Sequence, residues 1–71
     1  MNDYGEVRFK LDKIMAQRKM SKNKLSELTG LSFTGIQRYY NGKNKRVDLD
    51  VLARLCNALN CRIEDIIEYQ K

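Results

Sequence analysis

One device occurs three times between residues 20 and 60 and limits what this chain can fold into. An apolar residue precedes a short polar one, a second apolar residue follows four positions later, and a Gly or Asn closes the segment. The three instances are Met20-Ser21 with Leu25 and Gly30, Leu31-Ser32 with Ile36 and Gly42, and Val47-Asp48 with Leu52 and Asn60. In each, the polar side chain suits the free backbone N–H groups of a first helical turn, and the apolar pair clamps across that turn. The closing residue accepts the left-handed conformation that ends a helix. The spacing predicts helices from about Lys22 to Thr29 and from Phe33 to about Asn41, then a longer one carrying Leu49, Leu52, Leu55, Cys56 and Leu59. Leu11, Ile14 and Met15 form an i, i+3, i+4 stripe that predicts a first helix over about residues 10–19. Ile63, Ile66 and Ile67 predict a fifth to about residue 69, with Glu64 and Asp65 near its positive end and Arg62 a poor cap. Helices this short are marginal alone, so they must share a core. The expectation is an all-α bundle of five helices.

Residues 6–12 break that pattern. Val7, Phe9 and Leu11 alternate with Glu6, Arg8, Lys10 and Asp12, the period of a half-buried strand. A single short N-terminal strand in a helical chain is either an ordered lead-in to the first helix or an edge that pairs with a second copy. Seventy-one residues, 42% hydrophobic, suffice for one domain over residues 1–71 and no more. The absence of His removes the usual general base and the commonest metal ligand, so no enzyme, metal or cofactor is expected. Asp48, Asp50, Glu64 and Asp65 suit capping and helix-dipole roles better than acid–base chemistry. Cys56, on the apolar face of the fourth helix, and Cys61, just beyond its end, read as small apolar packers rather than redox sensors. Two cysteines, with no signal-peptide core or membrane span, fit a reduced, soluble, cytoplasmic protein.

The charge is polarised. Residues 1–16 sum to zero and residues 47–71 to −2, whereas residues 17–46 carry eight Lys and Arg against Glu27 alone, giving +7 of the net +5. A basic segment inside a folded domain points to nucleic acid, with another polyanionic partner or a membrane surface as the alternatives.

Two short helices joined by Gly30-Leu31-Ser32 have the sequence form of a helix-turn-helix, at about residues 21–41. Through Ser21 to Gly30, Leu31-Ser32 to Ile36, Tyr39-Tyr40-Asn41-Gly42 and Leu52 to Leu59, the chain resembles the phage-repressor and Cro (Xre-like) family of DNA-binding domains. The resemblance covers about residues 11–69. It implies a lambda-repressor-like five-helix bundle whose second and third helices straddle DNA, the third lying in the major groove. The chain departs from the family's usual pattern at Lys22, where Gln is usual, at Ser26, where Ala is usual, and at Tyr40, where Glu is frequent.

At about 100° per residue, Ile36, Tyr39 and Tyr40 share one side of the third helix, and Phe33, Thr34, Gln37, Arg38 and Asn41 spread over the other. Tyr39 and Tyr40 read as core residues with polar tips. Gln37 suits adenine, Arg38 suits guanine N7 and O6, and Thr34 suits a base or a phosphate. Phe33 either meets a thymine methyl or folds back on residues 28–31. A solvated helix face is the plainer alternative for Gln37 and Arg38. Lys22 and Asn23 open the second helix, and Asn41, Lys43, Asn44, Lys45 and Arg46 follow the third, so both sets can hold phosphates beside one groove.

These residues describe a sequence-specific, double-stranded DNA-binding transcriptional regulator, a repressor that occupies operator DNA. Control would come from its abundance, a partner protein or proteolysis. A homodimer, at least on DNA, is expected, with Val7, Phe9, Ile63, Ile66, Ile67 and Tyr69 as the candidate interface unless the isoleucines close the monomer core. A second class is an antitoxin or protein-interaction module that binds DNA secondarily; a third is RNA or nonspecific nucleic-acid binding.

Overall fold

The computed structural model describes residues 3–42 and 44–71. Among them the chain forms β1 (Glu6–Phe9), α1 (Leu11–Arg18), α2 (Lys22–Thr29), α3 (Phe33–Asn41), α4 (Leu49–Leu59), a 3-10 turn (Ile63–Asp65) and β2 (Ile67–Gln70). The caps explain the three central helices. Ser21 Oγ accepts from the Lys24 N–H at 3.1 Å and Ser32 Oγ from the Gly35 N–H at 3.0 Å. Gly30, Gly42 and Asn60 take the left-handed conformation at the helix ends. Asp48 has the extended backbone of a cap, without a side-chain bond to α4. The leading apolar residues Met20, Leu31 and Val47 pack half-buried against the core, as clamps across first turns must.

The core gathers one face of every helix. Leu11, Ile14 and Met15 of α1 meet Leu25, Ile36 and the α4 row Val51, Leu52, Leu55 and Leu59, with Ile66 closing the end. Leu11, Leu25, Ile36, Leu55 and Ile66 have no accessible surface. Leu49, expected on the apolar face of α4, is instead 81% exposed at its first turn. Arg18 ties α1 to the end of α4, its Nε donating to the Leu59 carbonyl at 2.9 Å and its Nη2 to that of Asn60 at 3.2 Å.

The fifth helix expected over residues 63–69 is not formed. Ile63–Asp65 makes a single 3-10 turn, with the Asp65 carboxylate accepting from the Arg62 N–H at 3.0 Å, and the chain then extends into β2. β2 pairs antiparallel with β1 in the register Glu6↔Gln70, Val7↔Tyr69, Arg8↔Glu68 and Phe9↔Ile67. The N-terminal strand therefore has a partner within the chain on one of its edges, rather than standing alone as a lead-in to α1. The physical reason is local weakness met by long-range pairing. A helix of seven residues has little intrinsic stability, and β-branched isoleucines favour extended backbone. The ribbon also satisfies the Lys10 N–H, which donates to the Ile66 carbonyl at 2.7 Å.

Val7, Phe9, Ile67 and Tyr69 line one face of the ribbon, and Glu6, Arg8, Glu68 and Gln70 the other. Phe9 and Ile67 pack on the core, and the Phe9 ring lies 5.3 Å from that of Tyr39 in α3. Val7 and Tyr69 project beyond it, 64% and 63% exposed. Gly5 turns the chain into the ribbon with φ +84°, where a Cβ would stand 2.6 Å from the Gln70 carbonyl oxygen.

Candidate nucleic-acid interface

The turn between α2 and α3 is held by three polar side chains. Ser26 Oγ donates to the Leu31 carbonyl, reaching across the turn. Thr29, buried, donates its hydroxyl to the Leu25 carbonyl at 2.7 Å and accepts from the Leu31 N–H at 3.2 Å. Arg54 of α4 donates through Nη1 to the Thr29 carbonyl at 2.8 Å and through Nε to the Asp50 carboxylate at 2.9 Å. The angle between α2 and α3 is thus fixed by hydrogen bonds as well as by the contact of Leu25 and Ile36 in the core. The i, i+4 spacing of Asp50 and Arg54 was a legible signal for that pair, but its attachment to the turn is a long-range contact with no local signature.

α3 buries Ile36 and half-buries Tyr39, leaving Phe33, Thr34, Arg38 and Asn41 exposed. Phe33, at 47% exposure, retains nearly half its surface in solvent. Gln37 differs from the expectation of a fully outward side chain. It is half-buried, and its Oε1 is sheltered with no hydrogen-bond partner among the described residues. Arg38 stands with Asn44, Lys45 and Arg46 around one shallow depression beyond α3, so four of the expected DNA-facing residues come together. Lys43 lies outside the described residues.

At the other end of the pair, Asn23 is exposed. The Lys22 ammonium sits 4.0 Å above the Tyr40 ring, a cation–π contact that holds it beside the start of α2. Two departures from the family's usual pattern, Lys22 and Tyr40, are therefore in contact with each other, and the third, Ser26, supplies a bond across the turn. Tyr40, expected as a core residue with a polar tip, is instead exposed and is not among the residues packed on the core; Tyr39 alone of the pair is.

The cysteines pack where the fourth helix ends. The Cys61 N–H donates to the Cys56 carbonyl at 3.1 Å, the long bond of a Schellman cap, which brings their side chains together. Both thiols are free, and burial, followed by the neighbouring Cys56 and Asp65, pushes that of Cys61 above its usual range. Among the described residues, no helix is long and apolar enough to cross a membrane, and no cluster of three metal-ligating side chains occurs.

Two short capped helices at a rigid turn, the second offering an exposed polar face flanked by cations, define a helix-turn-helix DNA-binding domain. The chain belongs to the Cro/C1-type HTH DNA-binding domain family, whose model matches residues 10–71. It is 40% identical over 60 residues to YozG of Bacillus subtilis (strain 168), described as an uncharacterized HTH-type transcriptional regulator; the match covers 84% of this chain and 71% of the relative. No solved structure is a significant match to the chain.

Proposed function

We propose that residues 1–71 act as one sequence-specific DNA-binding domain of a transcriptional repressor, with α3 reading base edges in the major groove. The observation that carries this reading is the grouping of exposed Arg38 with Asn44, Lys45 and Arg46 at the end of α3. Arg38 offers the bidentate fork that matches guanine, and the cations of the neighbouring loop suit the sugar–phosphate wall of a groove. Thr34 and Phe33 present a hydroxyl and an apolar ring at the other end of the same helix, suited to a base edge and a thymine methyl. Lys22 and Asn23 take the opposite phosphate wall. The domain acts as a two-fold pair on operator DNA, because a helix presenting so few reading residues covers only a few base pairs.

Selection of bound duplexes from a random pool, followed by affinity measurements on the recovered site, tests this. Arg38→Ala should lower affinity for that site by about 10- to 100-fold and for random duplex far less, since a bidentate base contact is worth about 1–3 kcal/mol of discrimination. Lys45→Ala with Arg46→Ala should weaken both and reduce the slope of log K against log salt by about 0.9 per lost phosphate contact. Recovery of no preferred sequence, or equal losses for Arg38→Ala on both duplexes, would refute base reading by α3.

A further inference from the structure

Three of the four glycines have a backbone reason to be glycine: Gly5, Gly30 and Gly42 all adopt positive φ. Gly35 does not. It lies in the first turn of α3 with helical backbone, where alanine is the more stable residue. Packing constrains it at a single point. A Cβ built on Gly35 would meet one atom within 4 Å, the Ser32 Oγ at 3.2 Å. That oxygen is the cap itself, and α2 shows that the cap tolerates a side chain. Ser21 caps α2 by the same bond to the third helical residue, and that residue is Lys24. The two helices thus share one capping geometry, one with a long side chain at this position and the other with none. Gly35 is also partly exposed, between the exposed Thr34 and the buried Ile36, on the flank of the face that carries Arg38.

We propose that Gly35 is a close-approach position, where the bare backbone of the first turn of α3 lies directly against the DNA duplex, leaving no room for a Cβ. This rests on the DNA-reading role of α3. A methyl group there holds the helix out of the groove, lengthening every base contact made by Thr34 and Arg38, while the flexible cations of the flanking loop still reach phosphate. Gly35 is accordingly a positioning residue: it makes no directional contact and sets the depth at which its neighbours read.

The test compares Gly35→Ala with the unaltered protein in two measurements, thermal melting and affinity for both the selected duplex and a random duplex. The expected result is a melting temperature equal or higher, an affinity for the selected duplex at least about tenfold lower, and an affinity for random duplex changed little. Ser32→Ala, which removes the cap and keeps the glycine, should lower the melting temperature with a smaller loss of selected-site affinity. Undiminished affinity in Gly35→Ala overturns the proposal. So does a lowered melting temperature in that variant, which would make the glycine a requirement of the fold. An equal loss of selected-site affinity in Ser32→Ala overturns it as well, by assigning the effect to the cap. If the unaltered protein prefers no duplex sequence, the reading of α3 falls and the proposal with it. If that preference stands and Gly35→Ala retains it, only the proposal falls.

Discussion

Gln37 holds an acceptor that the folded protein leaves unpaired among its described residues, on the helix expected to read DNA. A sheltered carbonyl oxygen without a partner costs about 1–3 kcal/mol relative to one that is bonded. Gln37→Met keeps the length of the side chain and removes the amide. It should stabilise the free protein by about 1 kcal/mol in urea unfolding while weakening binding to a selected duplex; a lowered unfolding midpoint would show that the amide is satisfied after all. The sequence revealed that Gln37 lies on the polar side of α3, because helical periodicity assigns faces. It did not reveal how far the flank of that face is covered, since this depends on the neighbouring elements. The Lys22–Tyr40 contact escaped sequence reading for the same reason: its partners are on different helices, eighteen positions apart.

The helix-turn-helix is an element whose stiffness comes partly from outside itself. Its two helices have 8 and 9 residues, too short to hold an angle unaided, and Arg54 of α4 grips the turn at the Thr29 carbonyl. Arg54→Met, which keeps the aliphatic stem, should cost about 1–2 kcal/mol in urea unfolding, discounted for the partial exposure of the guanidinium. Hydrogen exchange at Gly30 and Leu31 should accelerate with it; unchanged exchange there would mean that Ser26 and Thr29 hold the turn alone. The same scale shows where sequence reading succeeded and failed. α2 and α3 were legible because each carries its own start and stop. The segment after Asn60 was not, because Ile63, Ile66 and Ile67 satisfy a helical stripe as well as a turn followed by a strand. Alternation of Ile67, Glu68, Tyr69 and Gln70 favours the strand, but its deciding partner is Glu6–Phe9, at the far end of the chain.

For the whole molecule, the altered C-terminal segment changes which residues can meet a second copy. Ile66 is enclosed in the core, and Phe9 and Ile67 are half-covered by it. Val7, Tyr69 and Ile63 remain exposed, and Tyr4, 72% exposed and accepting from the Tyr69 hydroxyl through its carbonyl, joins the apolar end of the ribbon. A two-fold dimer on DNA should therefore be sensitive to Val7→Glu with Tyr69→Arg, which leave the core untouched. Sedimentation with a palindromic duplex should give two chains per duplex for the unaltered protein and a sharply weaker second binding step for the variant. Saturation at one chain on such a duplex would exclude the dimer.

Antiparallel pairing of Glu6 with Gln70 also imposes an order in time. During synthesis, β1 leaves the ribosome well before its mate, which is made only after α1 to α4. The caps of α2 and α3 need neighbours within four residues and can form as soon as they emerge, whereas the ribbon must close a loop spanning almost the entire domain. Throughout that interval the first strand has an open edge. Glu6 and Arg8, alternating with its apolar residues, put opposite charges on that waiting edge, which discourages the indiscriminate sheet formation that an all-apolar nascent strand would invite.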